Sequence, residues 1–75
     1  MTTLRMWTVY DHPKDYPDCY VARMFEVDAE GPRATGSIII VESLERLRDT
    51  LAFEMHLTPM KRNPEDDPVI VETWL

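Results

Sequence analysis

The densest group of candidate catalytic or metal-binding side chains lies in one short segment, which begins at Asp11 and ends at Cys19. Within nine residues it offers carboxylate oxygen, imidazole nitrogen and thiol sulfur, the atoms that bind divalent metal ions in proteins. The group consists of Asp11, His12, Asp15, Asp18 and Cys19. Its spacing matches no zinc or calcium frame, and Asp before His-Pro is a common turn former. The sequence therefore favours an ordered turn here, with a metal site as the alternative.

Cys19 and His12 are also candidates for a nucleophile pair, because an imidazole ring can take the proton of a thiol. A lone Cys at the start of a strand is more often a small buried hydrophobic residue. Glycine-rich phosphate loops and the motifs G-x-S-x-G, H-E-x-x-H and paired C-x-x-C are missing from the sequence. We therefore predict no catalytic residue, no bound metal and no cofactor. A small metal-dependent enzyme centred on residues 11–19 is kept as an alternative.

Arg23 is a candidate binding residue because it lies between Ala22 and Met24 in an apolar strand segment. A guanidinium on such a face needs an acidic partner or a bound anion, and pairing within the same chain is the default. The candidate polar site comprises Asp11, His12, Asp15 and Arg23. His56 alternates with apolar neighbours and is predicted to be a surface histidine.

The charge balance disfavours nucleic acid as a partner. Eight Lys and Arg face fourteen Asp and Glu, and the formal net charge of −6 opposes approach to a phosphate backbone. Lys61 and Arg62 are the sole adjacent basic pair, and the acidic run Glu65-Asp66-Asp67 is typical of a solvated loop. No apolar run approaches the length of a membrane span and the N-terminus lacks a secretory pattern. We therefore expect a cytoplasmic protein that does not contact a membrane.

The length of 75 residues indicates a single domain, residues 1–75, with a thin stability margin. Hydrophobic residues make up 44% of the chain, which is enough for one compact core. Domains of this size often rely on disulfides, metals or oligomerisation. Because Cys19 is the one cysteine, no internal disulfide can form, and self-association is the expected source of extra support.

Six prolines separate the apolar runs and divide the chain into elements. The patterns predict strands at 6–10, 19–27, 37–41, 53–57 and 68–74, a hairpin-type loop at 28–36, and a short helix at 44–51 capped by Ser43. The predicted fold is α+β, a small and mainly antiparallel sheet of order β-β-β-α-β-β with one short helix on one face. The consecutive apolar residues from Ile38 to Val41 indicate a strand in the centre of the sheet.

Residues 53–57 have a second interpretation. Phe53, Met55 and Leu57 alternate with polar residues, which favours a strand. If the helix instead continues to about His56, Phe53 points away from the apolar stripe of the helix and becomes an exposed candidate contact. The sequence leaves both interpretations open.

The predicted strands carry large apolar residues on both sets of alternating positions, more than a two-turn helix can cover. One set holds Trp7, Val9, Val21 and Phe25, and the other holds Met6, Tyr10, Tyr20, Met24, Ile39 and Trp74. The predicted interaction surface comprises Trp7, Tyr10, Tyr20, Met24, Ile39 and Trp74. A second copy or another protein is the expected partner.

Four segments resemble a group of short bacterial proteins without an assigned activity: residues 6–13, Tyr16-Pro17, residues 21–23 and residues 67–75. The resemblance implies a bacterial or phage-like cytosolic setting and no functional residue. Gly36 followed by the segment from Ser43 to Leu47 is similar to the antitoxin half of bacterial toxin–antitoxin pairs with a partial ribonuclease-H-like sheet, in which a strand hairpin and a third strand precede a helix. The glycine-rich, tyrosine-bearing hairpin turn of those antitoxins is absent, so this likeness concerns architecture.

Three functional hypotheses follow from these features. The leading one is a small interaction or binding module without catalytic activity that self-associates through an apolar sheet face. The alternatives are the small metal-dependent enzyme named above and an acidic, antitoxin-like or phage-type inhibitor of a basic partner. Motif absence and small size favour the first, because a ligand pocket of about 300 Å³ or more would remove much of so small a core.

Overall fold

The computed structural model describes residues 3–60 and 68–75 and contains one antiparallel sheet of five strands with a short helix on one side. The strands are β1 (Leu4–Asp11), β2 (Tyr20–Asp28), β3 (Gly31–Val41), β4 (Pro59–Met60) and β5 (Ile70–Trp74), and the helix is α1 (Leu44–Asp49), which continues as a π-helical turn (Thr50–Glu54). The spatial order is β3-β2-β1-β5-β4. The predicted α+β class and its element order are confirmed.

Strand β1 lies at the centre of the sheet and sets the register of its neighbours. Trp7 is opposite Met24 of β2 and also opposite Trp74 of β5. A bulge between Val9 and Tyr10 shifts the pairing of β1 with β5. Because side chains alternate across a strand, this register determines which residues share a face.

The β2–β3 hairpin closes at Asp28 and Gly31, with Ala29 and Glu30 between them. The Asp28 carboxylate accepts a hydrogen bond from the Glu30 amide at 2.9 Å, which is an Asx-type turn. Gly31 has φ +108°, a conformation that residues with a Cβ rarely adopt. The predicted loop at 28–36 is therefore mostly strand, since only a two-residue connection is needed.

The helix begins at a side-chain cap. Ser43 has an extended backbone, and its hydroxyl accepts from the Arg46 amide at 3.4 Å. Glu45 in the first turn complements the helix dipole. At the other end the Met55 amide donates to the Thr50 carbonyl at 3.1 Å, a spacing of five residues that defines the π-helical turn.

The hydrophobic core lies between α1 and one face of the sheet, which we call the covered face. Its buried members are Trp7, Val9, Ala22, Leu47, Leu51 and Trp74, with Tyr20, Met24, Ile39, Val41, Leu44, Ala52, Met55, Leu57 and Val71 packed around them. Leu47 and Leu51 are fully buried, one turn apart on the same helical stripe. Burial of this stripe against the sheet holds the helix in place.

The prediction of a central third strand is wrong. Within the described residues β3 pairs only with β2 and lies at the edge of the sheet. Ile39 packs against the core, whereas Ile38 and Ile40 are 37% and 41% exposed on the opposite side. The run is apolar on consecutive residues because both sheet faces are apolar at this edge, not because both are covered.

The strand predicted at 53–57 is also wrong, and the helical interpretation is closer. Helical backbone extends to Glu54, and the fourth strand is the short β4 at 59–60. Leu47, Leu51 and Met55 form one stripe four residues apart, which outweighs the period-two pattern. Phe53 is 75% exposed on the outer side of the helical segment.

Candidate interaction surface

The second face of the sheet has no helix over it in the part of the chain that the structure describes, and we call it the open face. The register places on it Leu4, Met6, Thr8 and Tyr10 of β1, Val21, Arg23 and Phe25 of β2, Ile38 and Ile40 of β3, and Ile70 and Thr73 of β5. A solvent-facing side of an antiparallel sheet is normally polar. Here it is almost entirely apolar, which marks it as a candidate contact surface.

Exposure is uneven across this face, because Val21 is fully buried and Thr8 is 6% exposed, whereas the residues at its borders have large solvent exposure. Leu4 is 48% exposed at one end of β1, and Ile38 and Ile40 are exposed along β3. A shallow depression of about 270 Å³ is lined by residues of β1, β2 and β5 and by the start of β3. It is lined by Met6, Thr8, Tyr10, Phe25, Pro32, Ile70 and Thr73. Its shape suits a broad apolar contact better than an enclosed small molecule.

Arg23 is the one charged residue among the open-face strand positions, and its charge is balanced within the chain. Its guanidinium donates to the carboxylate of Asp15, which reaches the open face from the loop between β1 and β2. The same pair lies beside Tyr10. Burial raises the pKa of the Tyr10 hydroxyl, with Arg23 lowering it and Asp15 raising it to smaller extents. The one charged strand residue of the open face is therefore paired with an opposite charge of the same chain.

The loop at 12–19 is ordered by backbone hydrogen bonds. The Tyr16 amide donates to the Pro13 carbonyl at 3.0 Å, and the Cys19 amide donates to the Tyr16 carbonyl at 3.2 Å. Pro13 is buried, although most of the residues around it in the loop are exposed. This turn geometry agrees with the turn-forming interpretation of the segment.

The polar cluster of the sequence does not converge on one point. Asp11 contacts His12, whose ring packs edge-on against Tyr20 with centroids 4.8 Å apart, whereas Asp15 pairs with Arg23 on the open face. Cys19 is a half-buried free thiol. Within residues 3–60 and 68–75, no three His, Cys, Asp or Glu side chains are placed to hold a metal ion. Neighbours in the sequence are thus separated by the sheet.

The predicted interaction surface is divided in the same way. Trp7 and Trp74 are only 7% and 4% exposed, and lie in the core. Tyr20, Met24 and Ile39 pack against that core on the covered face. Of the predicted set, only Tyr10 lies on the open face. Each of the two predicted sets also combines residues from both faces of the sheet. Val21 and Phe25 share the open face with Met6 and Tyr10, while Trp7 and Val9 lie on the covered face.

Leu4, Phe25, Ile38 and Ile40 are among the residues of this surface that sequence reasoning did not place there. The signal for them is cross-strand pairing, since Met6 is opposite Phe25 and Arg23 is opposite Ile38. That pairing depends on the register, which period-two patterning alone does not supply. His56 is exposed, as expected, in a left-handed conformation with φ 55°. The basic pair Lys61-Arg62 and the acidic run at 65–67 lie outside the described residues.

None of the helices in the described ranges is long and apolar enough to cross a bilayer. Comparison of the chain with protein-family models, with curated proteins and with solved structures finds no match. The likeness to short bacterial proteins and the architectural likeness to antitoxins therefore stay predictions from the sequence.

Proposed function

We propose that this protein is a small interaction module without catalytic activity, and that it self-associates through the open face of its sheet. The observation that carries the proposal is an apolar sheet face whose one charged strand residue, Arg23, is neutralised by Asp15 of the same chain. Removing such a face from water stabilises a complex by roughly 25 cal/mol per Å² of apolar surface.

Charge supports a second copy as the partner. The chain has a formal net charge of −6, so two copies repel each other wherever acidic surfaces meet. The strand positions of the open face hold no acidic residue, so this face adds little to that repulsion. Two open faces, or parts of them, can therefore meet without bringing carboxylates together.

The Arg23–Asp15 pair also lowers the cost of desolvation. An unpaired guanidinium on a contact surface would lose its hydration on association, which is strongly unfavourable. Since Asp15 already accepts from Arg23, the partner need not supply an acidic group. This makes the surface suited to an apolar and uncharged counterpart, which is what the same face of another copy provides.

The test is the molar mass in solution, measured by sedimentation equilibrium from micromolar to millimolar protein. Ile38→Lys places a charge on the open face, whereas Phe53→Lys makes the same kind of change at a more exposed residue on the helix side. We expect the wild type and Phe53→Lys to associate equally and Ile38→Lys to associate at least about tenfold more weakly. A wild type that is monomeric throughout the range would overturn the proposal, as would loss of association in Phe53→Lys alone.

A further inference from the structure

Strand β3 forms an edge of the sheet along its whole length of eleven residues in the described chain. Exposed edges are normally protected by prolines, charged side chains or bulges, because their free amides and carbonyls pair with other strands. The first part of β3 has such protection in Pro32, in Arg33 and in a bulge opposite Met24. The segment from Ile38 to Val41 has no proline, no charge and no bulge.

The bulge separates β3 into two parts. Met24 stands alone between Arg23 and Phe25, while Thr35, Gly36 and Ser37 lie between their partners on β3. The Thr35 hydroxyl donates to the Met24 carbonyl at 3.1 Å and accepts from the Ser37 amide at 3.1 Å, which fixes the irregular segment. The regular ladder resumes at Ile38, so the unprotected part of the edge is short and well defined.

The ladder determines which backbone groups of this segment point outward. The His12 amide donates to the Cys19 carbonyl at 3.0 Å, so the backbone amide and carbonyl of Cys19 point toward β1. Because these groups alternate in direction along a strand, the backbone amide and carbonyl of Ala22 point toward β3. Ala22 is opposite Ile39, and therefore Ile39 hydrogen-bonds inward to β2. The amides and carbonyls of Ile38 and Ile40 point away from the sheet.

We propose that two copies of the chain join edge to edge by antiparallel pairing of residues 38–40, with the two-fold axis at Ile39. This inference rests on the proposed self-association. It places the contact at the β3 border of the open face, so that the two open faces lie side by side in one larger sheet instead of packing against each other. Ile38 of one copy lies opposite Ile40 of the other, and each such pair exchanges amide-to-carbonyl hydrogen bonds in both directions. The outward groups of the segment are those that this register requires.

Side chains favour the same register. Antiparallel partners point to the same side of a sheet, so Ile38 and Ile40 of both copies meet on the open face. In the single chain both side chains are partly exposed to solvent there. Ile39 meets its own counterpart on the covered face. Moving the axis to Ile40 would place the charged Glu42 opposite Ile38, whereas the axis at Ile39 keeps Glu42 clear of the isoleucines.

The helix leaves room for a second strand. The chain bends at Glu42, directly after β3, and α1 contacts β2 as well as β3, so it lies over the sheet. Two copies related by an axis perpendicular to the sheet keep both helices on one side and both open faces on the other. The result is one continuous sheet built from two chains.

The first experiment removes one outward donor. Ile40→Pro deletes an amide that no residue of β2 accepts, and proline is tolerated at such edge positions. The matched variant Ile40→Val keeps the amide and a β-branched side chain. We expect Ile40→Pro to fold, by circular dichroism, and to raise the dissociation constant of the dimer at least about tenfold, with Ile40→Val close to wild type.

A second variant distinguishes edge pairing from docking of the two open faces against each other. Leu4→Lys adds a charge on the same face at the start of β1, level with Pro32 and away from the 38–40 segment of β3, which is level with Thr8 and Tyr10. Edge pairing predicts that Leu4→Lys still associates. If Leu4→Lys abolishes association while Ile40→Pro retains it, the edge inference is wrong and the self-associating open face stands; a monomeric wild type removes both.

Amide hydrogen exchange gives a measurement that does not depend on the fold of a variant. In dilute wild-type protein the Ile38 and Ile40 amides should exchange fast and the Ile39 amide slowly. On raising the concentration into the range of association, Ile38 and Ile40 should become protected. Protection that stays low at both positions in the associated protein would overturn the edge pairing.

Discussion

Arg48 donates two hydrogen bonds to the carboxylate of Glu72, from Nε to Oε1 at 2.9 Å and from Nη2 to Oε2 at 3.2 Å. Arg48 belongs to the last turn of α1, and Glu72 lies on β5 opposite Val9, on the covered face. The pair thus joins the helix to the C-terminal strand across the rim of the core. The hydrogen bond to Glu72 also raises the pKa of Arg48.

Replacing Arg48 by Met keeps much of the stem and removes both hydrogen bonds. Because the Arg48 side chain is 46% exposed, solvent screening limits the expected loss in the free energy of unfolding to about 1 kcal/mol. Urea unfolding of Arg48→Met, Glu72→Gln and the double variant gives the coupling energy. Arg46→Met is the control, since Arg46 has no ion pair among the described residues. A coupling energy near zero would show that the pair contributes nothing.

Leu47 is fully buried between α1 and the sheet, so Leu47→Ala leaves a cavity. We expect the free energy of unfolding to fall by about 2–5 kcal/mol, a large part of the stability of so small a domain. Phe53→Ala removes a larger side chain that is mostly in water and should change stability by about 0.5 kcal/mol or less. Thermal and urea unfolding measure both. Equal losses in the two variants would contradict the placement of Leu47 in the core and of Phe53 at the surface.

The two glycines offer a matched pair of variants. A Cβ at Gly31 or at Gly36 would meet no atom within 4 Å, yet only Gly31 has a positive φ, +108°. Gly31→Ala should therefore lose about 1–2 kcal/mol through backbone strain at the hairpin. Gly36→Ala should stay within about 0.5 kcal/mol of wild type. Comparable unfolding midpoints for the two variants would contradict the strained hairpin.

The hydrogen bonds of Asp28 predict that the free energy of unfolding depends on pH in the acidic range. Hydrogen bonds from the Glu30 amide and from Arg33 hold the pKa of Asp28 below its ordinary value of 3.8. A carboxyl whose folded pKa is depressed stabilises the native state above its unfolded pKa, and this stabilisation is lost as pH falls through the folded value. Below about pH 4, the free energy of unfolding should fall more steeply for wild type than for Asp28→Asn. Parallel curves from chemical unfolding at each pH would refute the linkage.

Local features of this chain were readable from the sequence because their causes are local. Ser43 stands three residues before the amide that it caps, and Pro13 and its neighbours form a turn through hydrogen bonds within a few residues. The aromatic and β-branched residues of β1 form a strand in any packing arrangement. These signals were enough for the fold class and for the order of the elements.

The face of the sheet on which each strand residue lies was not readable from the sequence. Period-two alternation divides a strand into two sets of residues, but it does not say which set the helix covers. Both sets are apolar here, so Trp7 and Val21 were equally good candidates for one face. Their opposite positions follow from the pairing of Trp7 with Met24 and Trp74, which joins residues distant in the sequence.

The sequence by itself determined that this protein is a small α+β domain with more apolar strand surface than one short helix can cover. Only the tertiary structure decided that Trp7 and Trp74 fill the core, that Ile38 and Ile40 stay at an edge, and that Asp15 neutralises Arg23. The reason is that propensity and patterning act over a few neighbouring residues, whereas sheet register and helix docking depend on contacts between distant segments.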